Sequence, residues 1–151
     1  MKTTLHNLPR AQRGSMLLEG LIAILIFSVG ILAIVGMQAT AIKNSTDAKY
    51  RADASYLAGQ IIGQMWADRG NLATYAHNPV GTTPCSPTVS ASTNTNVTSW
   101  IAAIASAVPS MGSVSQQIVI GAGNTVQVTV CWKAPQDNVQ HWFITNAQIN
   151  G

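Results

Sequence analysis

Arg13-Gly14-Ser15-Met16-Leu17-Leu18-Glu19 opens the longest apolar stretch of the chain, which runs on to Met37 with Glu19 as the only charge in residues 17–37. Wound as a helix at about 1.5 Å per residue, that segment reaches about 30 Å, the thickness of a bilayer's hydrocarbon layer. It is long enough to cross a membrane once. A carboxylate near the start of such a segment is costly and calls for a partner charge. The nearest one is the amine that a cut after Gly14 creates.

The residues in front explain why a cut there matters. Lys2, Arg10 and Arg13 make a basic leader that ends in a small residue before the apolar run, whereas a secretory signal places its small-residue cleavage site after the run. Cleavage at Gly14 leaves the apolar helix attached to everything downstream. This arrangement resembles the processing signal of type IV pilin-like proteins, in which a basic leader, a glycine and an apolar helix with glutamate five residues after the glycine follow one another. Gly14, Ser15 and Glu19 stand at those positions, with Ser15 where the family more often carries Phe or Met. The resemblance implies removal of residues 1–14 by prepilin peptidase and N-methylation of Ser15. It also implies that Glu19 attracts the N-terminal amine of a neighbouring subunit, setting the axial register of helices in a fibre.

Net charge excludes one large class of function. The chain's formal +3 comes from its leader. After Gly14, Lys43, Lys49, Arg51, Arg69 and Lys133 are matched by Glu19, Asp47, Asp53, Asp68 and Asp137. A neutral surface lacks the clustered cations that nucleic-acid binding requires, so no nucleic-acid partner is expected. Cys85 and Cys131 are the chain's two cysteines. In a chain expected to cross a membrane they read as an oxidised pair on its far side, and neither has a second Cys or a His at metal-ligand spacing. Neither a metal nor a cofactor is expected.

Beyond the membrane segment the pattern implies an α+β protein, with one long N-terminal helix packed against a small antiparallel sheet. No proline interrupts residues 15–68, and Gly70-Asn71 is a plausible stop. Gly30 and Gly36 cost about 1 kcal/mol each relative to alanine, as transmembrane helices commonly tolerate. Tyr50, Ala54, Leu57, Ala58, Ile61 and Met65 recur at spacings of three and four, making a stripe that should face the rest of the domain. Tyr50, Tyr56 and Trp66 read as packing residues in preference to an aromatic ligand platform. Residues 70–98, rich in Thr, Ser, Asn and Pro, read as a connecting loop. A short helix should begin at Ser99 and end before Pro109, with Trp100, Ile101, Ile104 and Val108 on its buried face.

The last third alternates. Residues 116–120 and 125–132 flank Gly121-Ala122-Gly123-Asn124, a hairpin with a glycine-rich turn, and residues 141–149 supply a third strand. Val126, Val128, Val130 and Trp132 should face inward, leaving Gln127, Thr129 and Cys131 on a polar face. The organisation expected is therefore a leader at 1–14, a membrane and assembly segment at 15–37, an amphipathic half-helix at 38–69, a loop at 70–98 and a globular remainder at 99–151.

Ser99-Trp100, Val108-Pro109 and the strand Thr125-Val126-Gln127-Val128-Thr129-Val130-Cys131-Trp132 extend the resemblance to the minor pilins called type IV pilus modification protein PilV. That resemblance implies a pilin fold and a single-pass inner-membrane precursor with a periplasmic domain that later joins the pilus. Its partners would be other minor pilins, the major pilin, prepilin peptidase, the inner-membrane assembly platform and a tip adhesin. A minor pseudopilin of a type II secretion system shares the same anchor. A secreted binding domain cut at Ala39-Thr40-Ala41 is a further alternative, disfavoured by the length of the apolar run and by Glu19. No enzyme is expected: the chain has no Gly-x-Ser-x-Gly, no phosphate-binding loop and no His-Glu-x-x-His. His77 reads as a surface residue and His141 as a strand residue.

Overall fold

The computed structural model describes residues 13–79, 84–85, 90–109, 116–135 and 137–150. Most of the leader lies outside them. Helix α1 (Arg13–Ala67) continues through Gly30 and Gly36 without a break. It begins two residues before Ser15, so the Gly14–Ser15 bond is helical. A 3-10 turn (Arg69–Tyr75), helix α2 (Thr95–Ala107) and strands β1 (Gln117–Ile120), β2 (Thr125–Trp132) and β3 (His141–Gln148) follow. The strands form one antiparallel sheet in the order β1-β2-β3. The architecture is α+β, a long apolar N-terminal helix whose later half packs on a small sheet.

Two compact units divide the chain at residue 43. The first is a length of α1 whose side chains are exposed throughout. Its apolar window has no buried share, and by length and composition it can cross a membrane. Exposed Ser28 and Thr40 side chains donate to the carbonyls of Ile24 and Gly36, satisfying their hydroxyls without a partner outside the helix.

The second unit owns the core. Ala54, Leu57, Ala58, Ile61 and Met65 of α1 are buried with Val97, Trp100 and Ile104 of α2 and with Ile118, Val126, Val128, Val130 and Trp132 of the sheet. Trp100 Nε1 donates to the Leu57 carbonyl at 2.9 Å. One indole thus supplies apolar area between the two helices and spends its N–H on α1's backbone. Tyr50 packs partly against this core, but Tyr56 and Trp66 do not: they are 70% and 44% exposed on the opposite side of α1. The 3.6-residue period explains the difference, since residues 56 and 66 fall outside the stripe that carries 50, 54, 57, 58, 61 and 65.

Three corrections concern the segment read as a loop. Leu72 and Tyr75 of the 3-10 turn are buried in the core. Helix α2 starts at Thr95, capped by Asn94, whose side chain accepts from the Asn96 N–H at 2.9 Å; Ser99 is an interior residue. The earlier start brings Val97 into the core. His77 is 1% exposed, not on the surface, and exchanges both backbone bonds with Ile118 along the outer edge of β1. Its ring is held there on both sides: Nδ1 accepts from the Ser92 N–H at 3.0 Å, and Nε2 lies 3.0 Å from Asn78 Nδ2.

Tyr75 carries a pH dependence. Its hydroxyl accepts from Asn96 Nδ2 at 2.6 Å and donates to Asp68 Oδ2 at 3.2 Å. Burial, followed by the Asp68 carboxylate, pushes its ionisation above the usual value of 10.0. A raised folded value means that the stabilisation is complete below the unfolded value and is lost as pH climbs through the folded one. Denaturant titrations should show the wild type losing stability relative to Tyr75→Phe above about pH 10. Parallel curves for the two proteins across that range would contradict this account.

Candidate functional site

The N-terminal end of α1 collects the residues singled out for processing and assembly. Gly14, Ser15 and Glu19 are all exposed. Among the described residues, a side chain built at Gly14 would meet no atom within 4 Å, so none of them requires a glycine there for packing. Ser15 and Glu19 are four residues apart on one helix, hence one turn apart on the same face. The helix's first turn holds no acidic residue, so Glu19 stands one turn deeper than the positions where a carboxylate best meets the helix dipole. Around it Met16, Leu17, Leu18, Leu21 and Ile22 are exposed. A contiguous apolar surface of this extent needs lipid or other helices to cover it.

In the second unit, Cys85 and Cys131 are joined in a disulfide with their Cα atoms 5.7 Å apart. Cys131 belongs to the side of β2 expected to be polar and open. Gln127 is open there, but Thr129 and Cys131 are buried. Among the described residues, Cys85 and Gln116 from the flanking segments cover Cys131. Cys85 is itself buried on Cys131, and the Gln116 side chain acts as an added rung, donating to the Cys131 carbonyl at 3.0 Å and accepting from its N–H at 2.8 Å. Nothing in the alternation of β2 signals this second buried layer; the cysteine on the polar face is its one trace in the sequence.

Folding also assembles a cluster that sequence spacing does not suggest. His141 opens β3 opposite Trp132, and the two rings stack at 5.8 Å with 18° between their planes. Asp137 Oδ2 lies 2.8 Å from His141 Nε2, and Asp47 Oδ1 of α1 lies 3.9 Å from Nδ1. The His–Asp137 bond is short enough to fix the ring's orientation, while the Asp47 contact is a loose ion-pair distance available only when the ring is protonated. Among the described residues no group of three or more ligands is placed to hold a metal.

Among the described residues, then, the recognisable surfaces are an uncovered apolar helix with a lone carboxylate near its start and a small disulfide-pinned domain beyond it. No protein-family model, curated protein or solved structure matches this chain.

Proposed function

We propose that this chain is a minor type IV pilin, a non-enzymatic subunit that works by being packed into a fibre. Prepilin peptidase removes residues 1–14, Ser15 becomes the N-methylated terminus, and α1 holds the protein in the inner membrane with the domain in the periplasm. Assembly then exchanges lipid for neighbouring helices around the same apolar surface. The observation that carries the reading is that residues 17–37 expose apolar side chains on every side and hold one charge, Glu19, five residues after Gly14. A membrane anchor alone accounts for the apolar surface but not for the carboxylate, which costs about 2.5–3.5 kcal/mol at full bilayer depth. A neighbour's N-terminal amine accounts for it. Other minor pilins, the major pilin, the assembly platform and a tip adhesin are the partners this role requires.

Intact mass of the membrane-extracted protein tests the first step. The expected species begins at Ser15 and carries one added methyl group. A chain retaining residues 1–14 in cells with active prepilin peptidase overturns the reading, as does a chain beginning at Ile42.

A further inference from the structure

The sheet has two edges, and they are treated differently. Which backbone groups each edge presents follows from the ladder. Gly121 N–H donates to Thr125 O at 2.7 Å, continuing the β1–β2 register and assigning the odd residues of β2 to β1. Ile149 N–H donates to Asn124 O at 3.0 Å, continuing the β2–β3 register and assigning the even residues of β2 to β3. Antiparallel strands alternate their bonding side residue by residue. In β1 this turns Ile118 outward, and there His77 bonds it in both directions, at 3.0 and 2.8 Å. In β3 it turns Trp142, Ile144, Asn146 and Gln148 outward.

Among the described residues nothing pairs with that outer rank of N–H and C=O groups. The strand also lacks the usual protection of an edge. It carries no proline, lysine, arginine or carboxylate, and its pairing with β2 is unbroken over eight residues, with no bulge to twist it away. Trp142 and Ile144 stand 46% and 37% exposed along it. Such an edge is a template for another strand.

We propose that the outer edge of β3 pairs antiparallel with β3 of a second copy of this chain, joining two three-stranded sheets into one of six across a two-fold axis. Three features select a second copy. The edge is uncharged, so identical strands meet without repulsion. The β1 edge is already occupied by His77 at Ile118, so the union closes as a dimer and does not grow into a ribbon. The phase of the strand is self-complementary: with the axis through Thr145, Trp142 meets Gln148 and Ile144 meets Asn146 of the second copy, so all four outward residues enter hydrogen-bonded pairs. Shifting the axis to Ile144 leaves Gln148 without a strand partner. In the chosen register Phe143, half-buried at the rim of the core, comes to lie opposite Ala147 of the second copy.

The register makes the test specific. Thr145 sits opposite itself in a non-hydrogen-bonded pair, where Cα atoms approach to about 4.5 Å, within disulfide reach. In the full-length protein in detergent, with the native cysteines already bonded to each other, mild oxidation of Thr145→Cys should give a covalent dimer. It should form at least roughly tenfold faster than from Gln127→Cys, which is on the central strand, because pairing raises the effective thiol concentration. Adding Ile144→Pro removes one outward N–H and leaves the β2–β3 ladder, carried by the odd residues, in place. That double variant should fall to the Gln127→Cys rate while keeping the wild-type near-ultraviolet spectrum. Equal rates for Thr145→Cys and Gln127→Cys, or a Thr145→Cys rate that Ile144→Pro does not change, overturn the proposal.

Discussion

Replacing both cysteines, as Cys85→Ala with Cys131→Ala, is expected to lower the stability of the domain by about 4 kcal/mol on the chain-entropy account, because the bond closes a long loop. The separation of 46 residues enters that account logarithmically, so small changes in loop length would hardly alter the figure. In a domain of this size each kcal/mol moves the melting midpoint by about 4 °C, so the expected fall is roughly 15 °C. Two local effects modify it, the first by relieving strain when the bond is lost and the second by admitting water. Cys85 holds a left-handed backbone conformation, φ 66°, which a non-glycine residue keeps only when its surroundings enforce it. Cys85 also covers the outer side of β2 where Thr129 and Cys131 are buried, so its release admits water to that layer. Melting followed by tryptophan near-ultraviolet circular dichroism under non-reducing conditions checks this. An unchanged midpoint would show that the cover is held by the Gln116 rung and the surrounding segments without the bond.

That loop also shows where sequence reading succeeds and where it stops. Strand β2 was legible because Val126, Val128, Val130 and Trp132 repeat at a period of two between a glycine-rich turn and Pro135, and the turn requires left-handed backbone at Gly123 and Asn124, which those residue types tolerate. The buried stripe of α1 was legible for the same kind of reason at a period of 3.6. Residues 70–98 were not, because their burial is not periodic. Leu72, Tyr75 and His77 enter the interior one by one, and the two polar side chains are met by particular partners, Asp68 and Asn96 for Tyr75 and Ser92 for His77, that lie near or far in sequence. Local propensity could not choose between Asn94 and Ser99 as the start of α2 either. Both residue types cap well, and the choice went to the start that buries Val97. The Asp47–His141–Asp137 cluster was invisible for a third reason: its members come from α1, β3 and the segment before β3, and only the packed domain brings α1 to the sheet.

Glu19→Val is expected to leave membrane insertion intact and to reduce incorporation into fibres by at least tenfold, a prediction that rests on the proposed pilin role. Insertion survives because valine makes the segment uniformly apolar, removing the one residue whose transfer into lipid is unfavourable. Incorporation falls because the neighbour's terminal amine is then left among apolar helices with no counter-charge. Breaking a buried pair from one side costs about 3–5 kcal/mol, well beyond the 1.4 kcal/mol that corresponds to a factor of ten. The helix dipole cannot substitute, since its favourable interaction with a carboxylate amounts to about 0.3–1 kcal/mol and fades beyond the first turn. Glu19→Gln separates charge from hydrogen bonding: it keeps an acceptor of nearly the same shape and should recover only a minor part of the loss. The measurement is the ratio of this subunit in sheared, purified fibres to that in membranes, by immunoblot against the wild type. A Glu19→Val ratio equal to the wild type would show that the carboxylate has no counter-charge to meet, and the apolar helix would then be an anchor and nothing more.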